Sequence, residues 1–469
     1  MLLLYKSPLR IAHPPEGKTV KDHPNTKEYI MKNAISSKDT AIIGFMLFAL
    51  FFGAGNLVFP PMLGQSAGTN VWVANIGFLL TGVGLPLVCI VAFGFSGKED
   101  LLSLTSRVHP LFGVVYTTVL YLTIGPFFAM PRTGSVSFEI GIKPFVPEGS
   151  ETVSLLIFTI MYFGISCLVS LYPSRIIDIV GKILTPSLIV FLTILAIAGI
   201  TQPIGPFQPP QGDYDTMAFF NGVQEGYLTM DALAAFVFGI IVIDAIRSKG
   251  ASTKRQFLVV CFVAGLIAAS ILAAIYSFLS YLGASTVAEF GYLSNGGAVL
   301  SAASHHFFGT FGGVLLGGIV LLACLTTSIG LTTSCSTYLQ KLMPAISYRT
   351  YAIGLSVFST IMANFGLNEL ISISVPVLKL IYPLAVVLIA LTFLHSVFGG
   401  LRSVYYGSLL ITFVISLIDL AGDSGLPTLG VHDWFSDYLP LYDQSLGWIL
   451  PAVVGGLFGL FVGGIMSRR

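Results

Sequence analysis

The sequence predicts an all-α polytopic membrane protein of about twelve helices, arranged as a 5+5 inverted repeat plus two further helices, with helices 1 and 6 broken at the midplane. Three observations carry that prediction. Of 469 residues, 55% are hydrophobic and 10% charged, where a soluble domain carries about 25% charged residues. Mean hydropathy is +0.87, and the apolar residues fall in runs long enough to cross about 30 Å of hydrocarbon as helices. The first and sixth runs carry weak points at their centres, which a plain anchor helix would not.

Residues 1–40 are polar, include Pro14-Pro15 and hold seven of the Lys and Arg residues. They read as a disordered cytoplasmic tail; MLLLY is too short for a signal peptide, and Met31 is an alternative start. Apolar segments follow at 41–65, 71–95, 113–141, 152–171 and 176–201, together the first repeat, 41–201. A long extracellular loop, 202–228, precedes segments at 229–246, 257–283, 311–339, 347–365 and 369–395, the second repeat, 229–395. Residues 396–469 hold the last two segments, 401–421 and 446–466, and a cytoplasmic C-terminus. With the tail inside, 20 of the 23 Lys and Arg fall in or beside inner loops, which is the positive-inside pattern of a multi-pass cell-membrane protein. Arg132, Lys143 and Lys379 are the exceptions. Five helices are an odd number, so a second five runs through the membrane the opposite way.

Segment 1 holds Phe52-Gly53-Ala54-Gly55-Asn56 at its middle and Pro60-Pro61 near its end. Glycine costs about 1 kcal/mol against alanine inside a helix. One account is a close helix-packing site of small residues. The other is an unwound hinge, Gly53 to Asn56, whose loose amides suit a carboxylate and whose loose carbonyls suit an ammonium or sodium ion. A zwitterionic amino acid needs both. Segment 6 has its weak point at Phe236-Val237-Phe238-Gly239. In segment 8, Thr326, Thr327 and Ser328 sit near the middle. Membrane-helix hydroxyls often bond only their own i−4 carbonyls; grouped beside a carbonyl-rich hinge, they make a hard-oxygen site for a small monovalent cation.

The runs GFMLFALFFGAGNLVFPP, GPFFAMPRT (Gly125–Thr133), TMDALAAFVFG (Thr229–Gly239) and SVPVLKLIYP (Ser374–Pro383) resemble the branched-chain amino acid:cation symporter family, the BrnQ-type carriers, over about residues 40–466. The resemblance implies the architecture of the leucine-transporter superfamily and sodium-coupled uptake of leucine, isoleucine and valine. It implies that Gly53, Ala54, Gly55 and Asn56 form the bend of helix 1 and that Phe236, Val237, Phe238 and Gly239 form the bend of helix 6, both facing substrate. It places Asn56 on one sodium ion. For a second it implies the carbonyls of Ala49 and Phe52 with Ala323, Thr326 and Thr327; a shift of one would use Thr327 and Ser328. The chain has one residue fewer between Asn56 and Phe59-Pro60 than the leucine-transporter pattern and lacks the arginine that closes its outer gate.

Arg132 in segment 3 and Asp231 in segment 6 are costly inside a bilayer unless paired. They are expected to pair across the outer vestibule as a substitute gate, with Glu139 the rival partner for Arg132. Lys379, near the middle of segment 10, either takes a cation's place, making transport proton-coupled or cation-independent, or snorkels outward. The expected cofactor list is empty apart from sodium as coupling ion, and the expected partners are the three amino acids, sodium and the lipid bilayer, with no nucleic acid. The five cysteines lie in apolar segments without a CxxC pair and read as core residues. No GxxxxGK[ST] loop, repeated filter or clustered intramembrane acid–base set occurs, which argues against an ATP-driven pump, a channel and a membrane enzyme. A transport-inactive amino acid sensor is the remaining alternative.

Overall fold

The computed structural model describes residues 35–172, 185–425, 427, 428 and 430–466. The tail up to residue 34 lies outside them, as do Arg175, Asp178, Lys182, Arg468 and Arg469. The described chain is helical throughout, without a strand. Among the described residues, nine helical stretches are long and apolar enough to cross a membrane.

The elements run α1 Ser37–Phe51, α2 Ala54–Ala67, α3 Val71–Leu79, α4 Leu85–Ser96, α5 Leu101–Thr105, α6 Pro110–Leu122 and α7 Ala129–Gly141. They continue with α8 Glu151–Ser170, α9 Thr185–Thr201, α10 Ala218–Leu228, α11 Asp231–Ser248, α12 Lys254–Phe290 and α13 Gly296–Leu342. The last are α14 Tyr348–Ala363, α15 Leu367–Leu394, α16 Arg402–Asp423, α17 Val431–Tyr438 and α18 Ile449–Met466. Helix α1 starts inside the expected tail because Ser36 caps it, its Oγ accepting the Asp39 N–H at 3.0 Å.

Segment 1 is the pair α1/α2, segment 3 the pair α6/α7, and segment 6 the pair α10/α11. The last pairing corrects the expected loop 202–228, whose final part is helix α10. Its Asn221, Gln224 and Glu225 line a large cavity, so their polarity suits a helix facing water on that side. Segment 3 breaks at Gly125 (φ −75°, ψ −114°) before Pro126, where proline removes a helix donor. The interrupted pairs and the long helices α12 and α13 meet at the centre of the bundle, and the site lies there.

Candidate functional site

The first interruption is short. Helix α1 ends at Phe51, Phe52 and Gly53 are extended, and α2 begins at Ala54. Gly55 and Asn56 therefore belong to the first turn of α2 and not to an unwound stretch. The Asn56 side chain closes that turn, its Oδ1 accepting the Gly53 N–H at 3.0 Å. Gly53 is glycine for lack of room: a Cβ there would lie 2.9 Å from Thr327 Oγ1.

The second interruption lies at Thr229-Met230, between α10 and α11. Met230 takes the left-handed conformation, φ 66°, a strained place for a residue with a Cβ. Phe236, Val237, Phe238 and Gly239 are thus not a bend. They continue α11 without a break and are fully buried away from the gap. Phe236 packs edge-on against Phe93 and Phe238 against Phe51, while Gly239 leaves space for the Phe93 ring. Phenylalanine and glycine there serve helix packing, which composition does not distinguish from a hinge.

The two gaps touch. A Cβ on Gly55 would lie 2.9 Å from the carbonyl oxygen of Thr229. Between them is a small chamber of about 20 Å³, lined by Leu50, Phe51, Gly53, Ala54, Gly55, Asn56, Ala129, Arg132, Thr133, Thr229, Met230, Asp231, Ala234, Thr327 and Leu331.

On one side of the chamber the end of α1 meets α13. Thr326 Oγ1 donates to Ala323 O at 2.7 Å and lies 3.4 Å from Ala49 O. Thr327 Oγ1 lies 3.3 Å from Leu50 O, 3.4 Å from Phe52 O and 3.5 Å from Ala323 O. One hydroxyl proton serves one acceptor well, so this group of carbonyls is richer in lone pairs than in donors. A monovalent cation fits such a set. Ala49, Phe52, Ala323, Thr326 and Thr327 are therefore brought together as expected, and Leu50 joins them. Ser328 is turned away to Ser166 on α8, 2.8 Å from it, so a one-residue shift of the hydroxyl set is not what the geometry uses.

On the other side is Asp231. Its Oδ2 accepts from Asn56 Nδ2 at 2.6 Å and from the Tyr276 hydroxyl at 2.6 Å; Asn56 Nδ2 also reaches the Tyr276 oxygen. Asn56 is thus engaged with Asp231 and the Gly53 amide, and no bond joins it to the Thr326–Thr327 oxygens. Tyr276, on α12, escaped sequence reading because a tyrosine in an apolar run has no distinguishing pattern.

Arg132 does not pair with Asp231, nor with Glu139, which bonds Lys143 at 2.9 Å. The guanidinium is 2% exposed. Its Nη1 donates to Leu228 O at 2.8 Å and its Nη2 to Ser374 Oγ at 2.9 Å; the cation lies 5.2 Å from the centre of the Phe59 ring. Leu228 ends α10, where carbonyls point out of the helix and attract a cation. Phe59 and Leu228 also line the large cavity, of about 870 Å³, with Tyr382, Lys379 and Asp419. Arg132 is accordingly the roof between cavity and chamber. Lys379 belongs to the cavity wall and does not line the chamber.

The opposite, basic end of the bundle is clasped. Asp39 on α1 meets Lys249, just past α11, at 2.9 Å. Glu99 meets Arg247 at 2.6 Å, and Asp100 meets Lys341. Burial pushes the Asp100 carboxyl up, but its bonds to Lys341 and Ser103 outweigh that and hold it below its ordinary value.

Residues 36–465 match the family of branched-chain amino acid transport proteins. Similar chains include the branched-chain amino acid permease BrnQ of Bacillus subtilis, 57% identical over 92% of this chain and 98% of that one. The branched-chain amino acid transport system 2 carrier protein of Pseudomonas aeruginosa is 43% identical over 89% and 94%. Among solved structures, the nucleobase-cation-symport-1 family transporter Mhp1 superposes with a TM-score of 0.60 at 12% identity, covering 92% of both chains. MhsT in complex with L-phenylalanine gives 0.52 at 17% identity, over 90% of this chain and 98% of that one.

Proposed function

Because the chain belongs to the family of branched-chain amino acid transport proteins, and is thus a multi-pass membrane transporter and not an enzyme, we propose that it is a symporter in which a sodium gradient drives the uptake of leucine, isoleucine and valine. One observation carries the ion: the carbonyls of Ala49, Leu50, Phe52 and Ala323 gather with the hydroxyls of Thr326 and Thr327 at the break in segment 1. Such a set has hard neutral oxygens and no carboxylate, which favours a monovalent over a divalent cation.

Substrate sits between the two gaps, its polar ends on loose backbone groups and on the side chains of the chamber. The walls Leu50, Phe51, Ala129, Ala234 and Leu331 are apolar, and a branched aliphatic chain lies against them. A pocket of this kind separates substrates by only about 1–3 kcal/mol per methylene, so the three amino acids share it. Transport follows alternating access, with the 5+5 inverted repeat supplying the two rocking halves. The basic end is cytoplasmic and carries both chain termini. In that orientation the ion-paired end is the closed inner gate and the large cavity the open outer vestibule. The chain acts in the cell membrane.

Uptake of labelled leucine into proteoliposomes, with and without an inward sodium gradient, tests this. Concentrative uptake that requires the gradient is the expected result. Uptake indifferent to sodium overturns the ion, and absence of both uptake and counterflow overturns transport.

A further inference from the structure

Two buried charges flank the chamber without meeting. Asp231 is 2% exposed, and the donors to its carboxyl are neutral, Asn56 and Tyr276 among them. Arg132, equally buried, lines the chamber and is bonded to a carbonyl and a serine hydroxyl, and its Nε–H meets no acceptor among the described residues. Among the described residues neither has an ion-pair partner. Charges taken out of water and left unpaired are expensive, and satisfying each with its own local dipoles while keeping them apart is a costly arrangement for stability alone. With both groups ionised, the chamber lining carries one charge of each sign, as a free amino acid does.

We propose that Asp231 and Arg132 are the specificity determinants for the two charged ends of the substrate. Asp231, at the start of α11, takes the α-ammonium. Arg132 takes the α-carboxylate through its unused Nε–H, beside the first amides of α2. This rests on the reading of the chamber as the amino acid site and gives it a chemical rule: a ligand must carry both groups. A 2-hydroxy or 2-oxo acid leaves the Asp231 carboxylate unpaired, and an amine or amino alcohol leaves Arg132 unpaired. Leucine's own carboxylate then has a protein cation, so it needs no metal ion at Asn56, and one sodium site, at Thr326 and Thr327, accompanies each substrate.

The test is competition against labelled leucine on the purified full-length protein, using leucinol (ammonium only) and 2-hydroxy-4-methylpentanoate (carboxylate only). In the unsubstituted protein both compete at least about 30-fold more weakly than leucine, the scale of one lost charge-assisted hydrogen bond. Either one competing within about threefold of leucine overturns the proposal. Asp231→Asn narrows the gap for the hydroxy acid alone, and Arg132→Gln narrows it for leucinol alone. A uniform loss across all three ligands means both residues are merely structural and also overturns it. Asp231→Glu and Arg132→Lys, which keep the charges, serve where the neutral variants fail to fold, and must retain the demand for both groups. Failure of the unsubstituted protein to bind leucine at all counts instead against the functional assignment.

Discussion

The gap in segment 1 and the gap in segment 6 interrupt their helices with opposite materials. The first is made of small residues, Gly53 and Gly55, that let other groups come close: Thr327 to one, Thr229 to the other. The second contains no glycine. Met230 is held left-handed by what surrounds it, 1% exposed, with Thr229 bonded back to Gly226 at 2.9 Å. A break can be written into the local sequence or imposed by packing, and only the former can be read from local residue type.

The sharpest way to break this comparison is at the contact between the gaps. Gly55→Ala places a methyl 2.9 Å from Thr229 O and 3.1 Å from its Cα, both backbone atoms that cannot rotate away. Overpacking of this kind costs about 1–3 kcal/mol, and here it pushes the gaps apart. Initial leucine uptake, at matched membrane abundance, should fall at least about tenfold; wild-type uptake would mean that the gaps act independently.

The next largest effect lies on the glycine side alone. Thr327→Val removes the hydroxyl shared among Leu50, Phe52 and Ala323 oxygens. The sodium concentration for half-maximal uptake should rise about tenfold, and Thr327→Ser should restore it.

On the packed side the prediction concerns stability. Met230→Val retains more apolar volume than Met230→Gly, yet a β-branched residue is worse in left-handed backbone by about 1–2 kcal/mol. The valine variant should therefore melt below the glycine variant in detergent. The reverse order would mean that packing at Met230 outweighs its backbone strain.

The smallest effect belongs to the contact between the inner ends of the two broken segments. Asp39→Asn removes the exposed pair with Lys249. Such pairs contribute little, so uptake should change by less than about twofold and more at low than at high ionic strength.

This contrast explains what was legible. Composition and run length gave the helical bundle. The glycines of segment 1 and the hydroxyls of segment 8 pointed to where carbonyls and hydroxyls gather, while Ala49 and Phe52 were named only by the family resemblance. Helix α10 was hidden because a span that borders a large cavity carries Asn221, Gln224 and Glu225 and reads as loop. The gap at Met230 was hidden because its cause lies in neighbouring helices. Gly239 marks a weak point by residue type alone, although that glycine accommodates the Phe93 ring. Arg132 and Asp231 stood out as buried charges, but their partners, Leu228 O, Ser374 and Tyr276, come from distant segments. Opposite signs alone suggested a pair where the fold keeps them apart.

The chamber's 20 Å³ is about the space one water molecule occupies. On the proposed reading of the chamber as the amino acid site, a substrate must stretch its container on entry, and its affinity is the contact energy less the work of dilation. Leucine buries one more methylene than valine, a gain of about 0.8 kcal/mol, but demands a wider opening. Gain and work rise together with side-chain size, which draws the apparent affinities of the three aliphatic substrates toward one another even though no rigid mould of that shape exists beforehand.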